Sequence, residues 1–156
     1  MTTFELKNKS TEIDAGKTIS QIESLLAQFG ASMVMKDYMQ DGRCTALSFK
    51  LGEHGYKMPA NIEGVYANLY EDKTRKTKER EDKAYRVCWR IIKDWLHSQL
   101  SLIASGQAQP DQVLLPYQFN GKLTFYEAYK NGKLQISDGT DNRSKNASDD
   151  GKTIDG

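Results

Sequence analysis

Ile19, Ile22, Leu25, Leu26 and Phe29 recur three and four residues apart, the spacing that lines one face of an α-helix. They predict a first helix over residues 19–29. Thr18 and Gln21 stand in the relation of a capping box, where a hydroxyl accepts an orphan backbone N–H and the amide reaches back. Gly30 is placed to close the helix in a left-handed conformation. Ahead of it, Phe4, Leu6 and Ile13 are the only large apolar groups after Met1, so residues 1–15 form an arm with a short edge strand at most.

From residue 33 the period changes to two. Residues 33–39 lead into Asp41-Gly42, a hairpin signal because tight primed turns require positive φ. Residues 43–51 follow, with Leu47, Phe49 and Leu51 alternating with Ala46, Ser48 and Lys50. Gly52-Glu53-His54-Gly55 supplies the next turn and residues 56–58 a third strand, which makes a three-stranded antiparallel meander. Pro59 ends it, since proline cannot donate to a ladder.

Helical spacing then returns. Asn61 is positioned to cap a helix whose Ile62, Val65, Tyr66, Leu69 and Tyr70 share a face. Residues 78–105 read as one long amphipathic helix with a wide apolar stripe that includes Tyr85, Cys88, Trp89, Ile92, Trp95, Leu96 and Ile103. Arg86, Arg90, Lys93 and His97 fall in a narrow sector on its other side. Gly106 ends it, Pro110-Asp111-Gln112 starts a turn or short helix, and residues 123–129 predict a last short helix. The fold class is therefore α+β: a helix, a three-stranded antiparallel meander, then two or three helices, the long one packed on the sheet. A single domain over 16–136 is expected, followed at 137–156 by a disordered polar tail with Ala147 and Ile154 as its apolar groups.

A chain of 156 residues with 38% hydrophobic and 28% charged residues has one sufficient core. No apolar run approaches the roughly 18 residues of a membrane span, and residues 1–7 lack the pattern of a signal peptide. Cytoplasmic residence without membrane contact is the expectation. Cys44 and Cys88 sit in apolar surroundings and read as reduced core residues. The formal net charge of +1 conceals polarity. Residues 73–93 carry nine basic and three acidic groups, while residues 1–72 carry seven basic and ten acidic ones. Arg75, Lys76, Lys78, Arg80, Lys83, Arg86, Arg90 and Lys93 thus form the candidate binding set, suited to phosphates or to an acidic protein surface. The interleaved Tyr85 and Trp89 could offer stacking planes to bases, although Trp89 and Trp95 stand at core spacing.

Catalytic templates fail on spacing. His54 and His97 have no clustered partners for zinc. Gly16-Lys17-Thr18 lacks the upstream glycine and the leading strand of a phosphate-binding loop. Glu71-Asp72-Lys73 and Glu81-Asp82-Lys83 have the Glu-x-Lys form of some metal-dependent nucleases but lie at helix ends rather than on strands. Ser32, Ser48 and Ser98 lack a nucleophile elbow. No catalytic residue, metal or cofactor is expected.

Pro59-Ala60-Asn61, the run Lys83-Ala84-Tyr85-Arg86-Val87-Cys88-Trp89-Arg90-Ile91-Ile92-Lys93-Asp94-Trp95, and Leu114-Leu115-Pro116-Tyr117 resemble segments of a family of small uncharacterised bacteriophage and prophage proteins. The resemblance covers residues 16–129. It implies a viral origin, action in the host cytoplasm and the company of replication and recombination genes, and it supplies no active site. Two functions are compatible with it: a nucleic-acid-binding accessory protein, or an anti-defence protein that binds and inhibits a host protein.

Overall fold

In a computed structural model, residues 4–71 and 75–132 are described. The mixed α+β architecture is as expected: α1 (Ala15–Phe29), a sheet of β1 (Met33–Tyr38), β2 (Cys44–Leu51) and β3 (His54–Pro59), then α2 (Ile62–Leu69), α3 (Lys78–Ala104), α4 (Pro110–Leu114) and α5 (Phe125–Lys130). The expected polar tail, and the last residues of the domain proposed before it, lie outside the described residues.

α1 begins a turn earlier than the large apolar residues indicate. Asp14 is the N-cap, so Thr18 is not a cap but a buried residue of the helix interior. Ala15 and Thr18 extend the buried face, and residues this small and mixed in polarity leave little periodic signal. Gly30 closes the helix at φ 102°, a conformation that favours glycine.

The sheet is antiparallel in the order β1-β2-β3. Leu47 and Phe49 of β2 stand beside Met58 and Tyr56 of β3, and all four are buried on the core face. Between β1 and β2 only Gly42 of the turn has positive φ, so this is not the two-residue primed turn that Asp41-Gly42 suggests. The register shifts between Asp37 and Tyr38, where Tyr38 pairs with Cys44 after Asp37 pairs with Ala46. Such a bulge disturbs the ladder locally. Its backbone is served from α3: Cys44 N–H donates to the Tyr85 hydroxyl at 2.9 Å, and the Trp89 indole N–H donates to the Cys44 carbonyl at 3.1 Å.

These two bonds fix the long helix on the sheet. Trp89, Leu96 and Leu100 enter one core with Ile19, Ile22 and Leu26 of α1, the apolar face of the sheet, and Leu114 of α4. Asn61 caps α2 by accepting from Gly64 N–H at 2.9 Å, and the buried Tyr66 lies on that helix. α3 therefore packs against both α1 and α2. The N-terminal arm forms no strand in residues 4–14. It is strapped down by Asn68, which donates to the Phe4 carbonyl at 3.1 Å, and by Lys7 and Asn8, which hold Asp94 at 3.2 and 2.9 Å.

Candidate nucleic-acid interface

The eight basic residues singled out by the sequence divide into two groups. The first lies where α2 meets α3, and two of its members, Lys76 and Arg80, are engaged locally. Lys76 pairs with Glu63 at 3.2 Å and stands 5.6 Å from the Tyr66 ring centroid. Arg80 lies 4.6 Å from the centroid of Tyr70 and donates to the carbonyl of Arg75, which also accepts the Tyr66 hydroxyl. Glu79 and Glu81 occupy the first turn of α3, where carboxylates complement the positive end of the helix. Arg75 and Lys78 are exposed, and Lys83 is half-buried.

Lys78 and Arg86 line a cleft of about 600 Å³ that also contains Asp14, Asp41, Glu81 and Asp82. Arg43 bonds Asp82 there at 2.6 Å and lies 3.6 Å from Asp41 and from Glu81. The hydrogen bond to Asp82 raises the Arg43 pKa despite partial burial. Four carboxylates against three cations make this end a poor phosphate site. Arg86 is half-buried, and its Nε is buried without a hydrogen-bond partner.

The second group faces α1. Arg86 shares the cleft with Asp14 at the start of α1, Arg90 donates to the Gln21 side chain at 2.7 Å, and Lys93 and His97 share a groove with Gln28. The helices therefore run side by side in the same direction. This contact explains why the sector of Arg86, Arg90 and Lys93 is half-buried rather than an open helix face. Periodicity along α3 finds the sector and is blind to the helix beside it.

The groove between them, about 400 Å³, is lined by Lys17, Ser20, Gln21, Ser24, Leu25 and Gln28 from α1 and by Lys93 and His97 from α3. None of these lining residues is a carboxylate. On α1, Glu23 is engaged elsewhere, with Lys36 at 2.8 Å. On α3, Asp94 is held by the arm and lies 3.8 Å from the Lys93 ammonium. Lys17 and His97 are exposed, whereas the Lys93 side chain is 18% exposed. Lys17 also stands in the first turn of α1, at the positive end of its dipole. The α1 wall from Lys17 to Gln28 rises about 16 Å at 1.5 Å per residue. Hydroxyl and amide donors thus follow one another along this wall, with Lys17 as its cation and Lys93 on the facing helix.

Sequence reasoning missed Lys17 and the polar wall because they belong to a different helix. The available signal was the row Lys17, Ser20, Gln21, Ser24 and Gln28, a helix face without an acid. Trp89 is fully buried and Tyr85 spends its hydroxyl on β2, so neither offers a plane to a base. His54 meets Gln118 at 2.9 Å, and no group of three or more His, Cys, Asp or Glu among the described residues is arranged to hold a metal ion. No described helix is long and apolar enough to cross a membrane. No protein-family model, curated protein or solved structure matches this chain.

Proposed function

We propose that this is a non-enzymatic nucleic-acid-binding protein of phage origin, acting in the host cytoplasm beside phage DNA replication or recombination and binding phosphates with little sequence preference. The single observation that carries the reading is the α1/α3 groove, cationic, rich in hydroxyl and amide donors, and without a carboxylate among its lining residues. Lysine and arginine displace condensed counterions from a polyanion, and neutral donors orient phosphate oxygens without reading bases. Lys17 and Lys93 supply the groove's fixed charge and His97 adds a donor, while Arg90 holds the Gln21 side chain of the α1 wall. Lys76 and Arg80 serve the junction of α2 and α3.

Fluorescence anisotropy with a labelled oligonucleotide at 50 mM salt tests this. Lys17 is exposed, so Lys17→Glu leaves the core intact and is expected to weaken binding about tenfold, the equivalent of ~1.4 kcal/mol. Unchanged affinity in that variant, or no binding by the unaltered protein at ~100 µM, would sink the proposal.

A second reading, an anti-defence inhibitor that docks on a host protein, is favoured by the edge strand β1. Met33, Met35 and Tyr38 on the strand, and Met39 just after it, are each about half exposed. The two charges on the strand are turned to internal partners, Lys36 to Glu23 and Asp37 to Lys57, so they do not guard the edge. The occupant would be an extended segment of the host protein with apolar residues at alternate positions. Capture from nuclease-treated host lysate discriminates: a β1-docked protein stays bound and is lost in Met35→Lys, whereas a nucleic-acid bridge is lost on digestion.

A further inference from the structure

We infer that the ligand of the α1/α3 groove is double-helical nucleic acid, held from outside along its phosphates, and not a single strand. The inference rests on the nucleic-acid reading above and names the class of ligand within it.

Proteins that hold single strands without sequence preference combine a basic groove with aromatic rings on which successive bases stack. The chain has fifteen Phe, Trp and Tyr residues, and all of them fall within the described residues. None lines the groove, whose one aromatic ring is the exposed imidazole of His97. On its two walls, Trp89 is fully buried, and Phe29, Tyr85 and Trp95 are half-buried against the core. Trp95 packs edge-on to Tyr117 at 5.3 Å, and Tyr85 is bonded to the start of β2. Beyond the walls, Tyr70 lies under Arg80, Phe119 lies under Lys57, and Phe49 packs on Tyr56 in the core. The well-exposed rings, Phe4, Tyr38, Tyr126 and Tyr129, belong to the arm, to β1 and to α5 rather than to either wall.

A single imidazole gives no row of planes on which successive unpaired bases would stack. What the groove offers instead is a strip of hydroxyl and amide donors about 16 Å long on its α1 wall, with Lys17 on that wall and Lys93 on the facing helix. A duplex presents one charge per about 1.7 Å of its axis, a denser phosphate array than a single strand, with its bases already stacked on one another. Such a partner needs no aromatic platform.

The test is competition-free anisotropy with one labelled 20-mer sequence, presented as single strand and as duplex, in DNA and in RNA form, at equal phosphate concentration and 50 mM salt. Duplex affinity at least ~5-fold above that of the matching single strand, in DNA or RNA, is the expected result, and Lys17→Glu should narrow the ratio. A ratio below ~5-fold, or one that favours the single strand, overturns this inference while leaving the nucleic-acid reading intact when Lys17→Glu still weakens binding. Absence of binding to all four probes overturns both. The DNA and RNA arms identify which helix is preferred.

Discussion

Trp89→Phe separates a core role from a base-stacking role. The indole is completely buried and donates to the Cys44 carbonyl at 3.1 Å. Phenylalanine removes that donor, and a buried carbonyl left unserved costs about 1–3 kcal/mol. It also removes roughly 40 Å³ of side chain, which at ~24 cal/mol per Å³ of residual cavity adds about 1 kcal/mol. The expected loss is therefore ~2–4 kcal/mol, or roughly 4–16 °C in Tm for a domain of this size. Trp95→Phe serves as the internal comparison: Trp95 is half-buried, and its replacement should cost ~1 kcal/mol or less. Urea unfolding followed by circular dichroism measures both. A Trp89→Phe loss under ~0.5 kcal/mol, or one smaller than that of Trp95→Phe, would refute the assignment of Trp89 to the sheet–helix joint.

Two further outcomes follow from the buried and strapped groups. Burial pushes the Cys88 thiol up to about 12 and raises that of Cys44, so neither should react with an aromatic disulfide reagent at pH 8 until the protein is unfolded, when two thiols should titrate; prompt reaction of the folded protein would contradict their placement. Burial alone would raise the Asp94 carboxyl, but the hydrogen bonds from Asn8 and Lys7 and the charges of Lys7 and Lys93 outweigh it and hold it below the ordinary 3.8. A depressed folded value means its contribution is complete above the unfolded value and is lost as pH falls through the folded one. The Tm gap between the protein and Asp94→Asn should thus persist from pH 7 to about 4 and narrow as the pH falls further, and a gap that widens in acid would show the strap is misassigned.

The elements of this fold were legible wherever large apolar residues keep a period. Ile22 and Leu26, the alternation through Leu47, Phe49 and Leu51, and the stripe through Trp89 and Leu96 all occupy the faces they predict. The first turn of α1 was not legible, because a buried alanine and a buried threonine mark it. The geometry of the β1–β2 turn depends on a bulge, and a bulge is set by what α3 offers the backbone rather than by the local dipeptide. The basic residues of α3 were visible as a set, but their division was not. Whether a cation is free depends on Glu63, Tyr70 or Gln21, which come from helices distant in sequence. Lys17 enters the groove for the same reason: only the packing of α1 on α3 brings it near Lys93.

The salt dependence of binding bears most directly on the central claim. With Lys17 and Lys93 as two phosphate contacts, log K for a duplex should fall with log salt at a slope of about −1.8, so raising salt from ~50 to ~200 mM should weaken binding roughly 12-fold. Lys17→Glu should make that slope shallower by about 0.9. A flat salt dependence, or a slope that Lys17→Glu leaves untouched, would contradict phosphate binding at the α1/α3 groove.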